Sequence, residues 1–115
     1  MLTEDQEEEL SDIFYAEAPF DFVLTFSKKK HPDVNGVCVY EDKICTILGA
    51  EEYKTALIVL LHELAHARIQ HKTHSDTWEK EFVRLLAKYN VERSYSAFAH
   101  TIIGPNIRRY IEEDD

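Results

Sequence analysis

Glycine and proline are scarce, with three of each among 115 residues. Few positions are left for sharp turns or long pliable loops, so the chain is expected to be a close succession of regular elements. Two cysteines, Cys38 and Cys45, cannot build a disulfide framework or a zinc site of four thiolates. No apolar run approaches the roughly 20 residues that span a bilayer, and the N-terminus is acidic, unlike a secretory signal. A cytoplasmic protein with no membrane partner is expected. Basic charge is short as well: 13 Lys and Arg stand against 22 Asp and Glu, a net charge of −9. Such a chain repels phosphate backbones, so autonomous nucleic-acid binding is not expected. The one basic run, Lys28-Lys29-Lys30, is too short to reverse this and reads as a solvated turn.

What is present suits one globular domain. Hydrophobic residues make up 44 % and charged residues 30 %, a balance that argues against disorder. The length fits a single domain over 1–115. Thr3-Glu4-Asp5-Gln6 has capping-box spacing, and a helix is expected from there to about Ala18, with Leu10, Ile13 and Phe14 facing inward and Pro19 ending it. Residues 21–26 alternate Phe22, Leu24 and Phe26 on one face, as a strand does. The runs 36–40 and 43–48 read as a hairpin turning at Glu41-Asp42, which makes Cys38 and Cys45 cross-strand neighbours. Residues 51–71 read as a helix apolar over most of its surface and therefore largely buried. Asp76-Thr77-Trp78-Glu79 opens another helix, to about Tyr89, with Trp78, Phe82, Leu85 and Leu86 as its inner face and Asn90 as its stop. Beyond it, 97–103 is apolar and a short helix is expected over 105–112.

His62-Glu63-Leu64-Ala65-His66, inside the buried helix, carries the chemistry. Residues four apart on a helix point the same way, so two imidazoles can grip one metal ion. Glu63 sits about 100° round the axis, beside such an ion, where it can take a proton from bound water and pass it to a leaving amine. With six histidines and fourteen glutamates in the chain, chance would produce the pattern in roughly one sequence in 25. The competing reading is a polar stripe on an amphipathic helix, but imidazoles in an apolar neighbourhood need a partner to offset their desolvation. A catalytic zinc takes three protein ligands and leaves a place for water. His71, His74, Glu79, Glu81 and His100 are the candidates for the third. His71 would point well off the ligand face if the helix continued. His74 follows a short turn just before the next helix, where the chain can double back and aim it at the metal, and it is preferred. Glu79 and Glu81 stay open. Metzincin spacing fails, because Ile69 and Lys72 stand where Gly and His would be needed.

The segment HELAHARIQHKTHSDTWEKEF resembles the active-site stretch of SprT-like small metallopeptidases, in which a histidine, a small residue (here Ser75) and an aromatic (here Trp78) follow the H-E-x-x-H helix. The likeness spans roughly residues 36–89. It implies zinc on His62, His66 and His74, Glu63 as general base and acid, and one hairpin strand as the rim on which an extended substrate lies by strand addition. Two departures matter: the chain carries no zinc ribbon or DNA-binding region after residue 89, and it is acidic, which counts against a DNA-linked role. In length the chain is similar to the minigluzincins, single-domain zincins made as latent zymogens. That comparison implies a glutamate as third ligand, Glu79 or Glu81, and makes 91–115 a candidate for blocking the cleft.

The expectation is therefore an α+β, zincin-like fold, with a small, mostly antiparallel sheet of about three strands on the N-terminal and active-site helices. The expected function is zinc-dependent hydrolysis of peptides or unstructured proteins. The alternative is a metal-bearing binding or regulatory module with little or no activity. His100, Tyr95 and Tyr110 are candidates for holding the oxyanion, and a homodimer is compatible with either reading.

Overall fold

The computed structural model describes residues 2–29, 35–39, 41–70 and 75–91. Helix α1 (Glu4–Glu17) is followed by strands β1 (Val23–Ser27), β2 (Gly36–Val39) and β3 (Ile44–Leu48), then helices α2 (Tyr53–Ile69) and α3 (Asp76–Lys88). The architecture is α+β, as the sequence suggests.

The Thr3 capping box is complete: the Thr3 hydroxyl accepts from the Gln6 amide and the Gln6 side chain accepts from the Thr3 amide. Leu10 and Phe14 on α1 are fully buried, with Ile13 partly so. The helix gives way to an extended Ala18 immediately before Pro19. Helix α3 is capped one residue earlier than the spacing suggests. Ser75, not Asp76, is the cap, and its hydroxyl accepts from the Trp78 amide.

The strands run in the order β1-β3-β2. β2 and β3 form the expected antiparallel hairpin, with Cys38 opposite Cys45. β1 pairs with β3 in parallel, Leu24 opposite Cys45 and Phe26 opposite Ile47. The sheet is thus mixed rather than mostly antiparallel. The chain crosses from β1 to the far edge, and the hairpin then brings β3 back between the two. Flanked on both sides, β3 is buried from Cys45 to Leu48, and its Thr46 hydroxyl is satisfied by that of Thr25 at 2.8 Å.

Register puts Leu24, Phe26, Gly36, Cys38, Cys45 and Ile47 on one sheet face. Helix α2 packs on β2 and β3 and is contacted by α1 and α3 as well. Every residue from Ala56 to Ala67 is consequently buried, as expected of a helix apolar on most of its circumference. No helix among the described residues is long and apolar enough to cross a membrane.

Candidate metal centre

His62 and His66 lie one turn apart on α2, their ring centroids 5.0 Å from each other. Glu63 faces the sheet: a Cβ built on Gly36 would stand 3.1 Å from Glu63 Oε2 and 2.5 Å from Val59 Cγ1. The absence of a side chain at Gly36 therefore lets β2 approach the carboxylate. All three motif residues are shut away from solvent, His62 at 2 % exposure and Glu63 and His66 at 0 %. Each has interaction partners; among the described residues, the buried atoms His62 Nδ1, Glu63 Oε1 and His66 Nε2 take no hydrogen bond.

The rings are fixed by α3. Trp78 stacks on His66 with centroids 5.1 Å apart and meets His62 edge-on at 4.8 Å. Its Nε1 donates to the His62 carbonyl at 3.4 Å. Phe82 meets His62 edge-on at 5.5 Å and stacks on Trp78. The periodicity of α3 marks Trp78 and Phe82 as core, which they are. That they press on the two imidazoles is a tertiary fact with no signature in the helix itself.

Behind Glu63 lies the thiol pair. Cys45 Sγ lies 3.8 Å from the Glu63 carbonyl oxygen and 3.0 Å from Cys38 Sγ. Burial pushes the Cys45 thiol well above its ordinary value, and the neighbouring Cys38 and Glu63 push it the same way.

His71, His74, His100, Tyr95 and Tyr110 lie outside the described residues, as do the apolar run 97–103 and the short helix expected over 105–112. Of the two glutamates left open as third ligand, Glu81 is turned to Arg68 and Arg84 and Glu79 is exposed on α3. On α3, Glu81 thus belongs to an ion-pair network. Among the described residues no group of three His, Cys, Asp or Glu side chains is placed to hold a metal ion.

No protein-family description and no curated protein matches the chain. Among solved structures, the metallopeptidase zymogen abylysin of Pyrococcus abyssi is similar at a TM-score of 0.49 and 18 % identity, over 79 % of this chain and 98 % of that one.

Proposed function

We propose that the chain is a single-domain, zincin-like, zinc-dependent metallopeptidase that acts on peptides or unstructured proteins. The observation that carries this reading is the adjacent His62 and His66 rings on an enclosed helix, with the Glu63 carboxylate one residue along. Enclosing two imidazoles and a carboxylate among leucines and aromatics is costly unless something compensates them. Neutral imidazole nitrogen is a preferred zinc donor, so the two rings fit part of a zinc donor set, and we assign the third place to His74. Zinc held there would supply a Lewis acid for the scissile carbonyl and a water acidified toward neutrality.

The chain's own residues then have distinct tasks. Glu63 accepts the proton of the attacking water and returns it to the leaving amine. Trp78 holds the His66 ring by stacking and ties α3 to the His62 carbonyl. The leucines that wall α2 exclude bulk water from the proton transfer. β2, an edge strand whose Gly36 lies against Glu63, is where an extended substrate would pair by strand addition.

The burial of Glu63 favours a latent form, or the alternative of a metal-bearing module with little activity, because a substrate carbonyl must reach this carboxylate. On the likeness in length to the latent minigluzincins, we assign a restraint to the C-terminal segment. Val91 packs on the core, so the segment is best removed after it.

The test is bound zinc and casein cleavage in the full chain and in a chain ending at Val91, with His62→Ala and Glu63→Gln made in each and compared with the parent of the length that cleaves. Stoichiometric zinc lost in His62→Ala, with cleavage that appears or increases on truncation and vanishes in Glu63→Gln, is the expected result. Zinc without cleavage in either length would leave the metal-bearing module. Absence of zinc, or equal cleavage by Glu63→Gln, would defeat the peptidase reading.

A further inference from the structure

Cys38 and Cys45 are the chain's two cysteines. They stand directly opposite each other across the hairpin, both fully buried against α2. Their sulfurs are 3.0 Å apart, about 1 Å beyond the ~2.05 Å length of an S–S bond. Two small apolar residues filling one sheet face would satisfy the core equally well as alanine or valine. What the thiols add is proximity between two oxidisable sulfurs already on neighbouring strands.

We propose that this pair is a modification site, closed by hydrogen peroxide into a cross-strand disulfide beneath α2. Cys38 lies on the edge strand β2 and is reached first, since an edge strand opens more readily than the central one. Its sulfur attacks one peroxide oxygen. The O–O bond breaks, an S–O bond forms and one water leaves. The Cys45 sulfur then attacks the Cys38 sulfur. The S–S bond forms, the S–O bond breaks and a second water leaves. The two thiol protons depart in the two waters, the sulfurs lose two electrons and the peroxide gains them. A dithiol reductant reverses the reaction.

The crosslink pins β2 to β3. β2 is the strand whose Gly36 rests against Glu63, so the oxidised chain holds the strand beside that carboxylate more rigidly than the reduced one. None of this depends on zinc or on peptide hydrolysis.

The full-length chain is treated with hydrogen peroxide, then unfolded and alkylated, and its intact mass and thiol titre are measured. Monomer that has lost two hydrogens, with both cysteines refractory to alkylation until dithiothreitol is added, is expected. Its melting temperature should exceed that of the reduced chain by roughly 5 °C or more. Cys38→Ser should never lose two hydrogens under the same treatment. Persistence of both thiols while peroxide oxidises the urea-unfolded chain would overturn the proposal. So would oxygen adducts without a crosslink, or disulfides formed only between chains.

Discussion

At the scale of single residues, position 36 shows how little room the centre of the molecule has. A methyl at Gly36 would meet Val59 Cγ1 at 2.5 Å, the Thr46 carbonyl at 3.2 Å and Glu63 Oε2 at 3.1 Å. Val59 is β-branched and buried, so it has no free rotamer to retreat into, and the Thr46 carbonyl belongs to the central strand. Gly36→Ala should therefore cost about 1–3 kcal/mol, the usual range for overpacking, read as a lower urea midpoint at unchanged slope. An unchanged midpoint would mean that β2 moves away freely and that its seat against Glu63 is loose. Trp78 is the counterpart on the other side of α2. It stacks on the His66 ring and meets His62 edge-on.

At the scale of elements, local chemistry was the legible part. The Thr3 box, the alternation in β1, the facing of Cys38 by Cys45 and the enclosure of α2 follow from spacing and periodicity, and the structure has each of them. The H-E-x-x-H pair was legible for the same reason, since two residues four apart must share a helix face. Long-range choices were not legible. Nothing in residues 23–27 says that they pair with β3 in parallel rather than with β2, because both pairings bury the same Leu24 and Phe26. The cap of α3 lies one residue before the position the spacing suggests, because Ser75 and Asp76 are both good caps, and the choice between them is made by the incoming chain. Ser75→Ala should cost about 1 kcal/mol, measured by chemical denaturation. Asp76→Ala, lacking that role, should cost clearly less. Equal losses would mean that charge at the helix start, rather than the Ser75 hydroxyl, holds the end in place.

At the scale of the whole molecule, one ionic cluster joins the two ends of the described fold. Glu17, at the end of α1, takes hydrogen bonds from Lys88 and from the Tyr89 hydroxyl at the end of α3, with Arg84 close by. Its backbone carbonyl accepts from Arg68 of α2 at 2.5 Å. Burial alone would raise the Glu17 carboxyl, but Lys88, Tyr89 and Arg84 outweigh it and hold the group below its ordinary value. Burial and the same contact push Tyr89 up to about 12. The two shifts give limbs at opposite ends of the pH scale. A depressed carboxylate contributes stability above its unfolded value near 4.5, and that contribution is lost as pH falls through the lower folded value. A raised phenol contributes fully below its unfolded value of 10, and that contribution is lost as pH climbs toward 12. Glu17→Gln should therefore lower stability at pH 7 by about 1 kcal/mol, since hydrogen bonds to a charged group are lost while Lys88 and Arg84 can turn to solvent. It should also flatten both limbs, because the amide neither titrates nor holds Tyr89 against ionisation as the carboxylate does. The measurement is urea unfolding from pH 3 to 11, with tyrosinate absorbance followed at the alkaline end. Parallel curves for parent and variant would show that the carboxylate's charge contributes nothing to tying the end of α1 to α3.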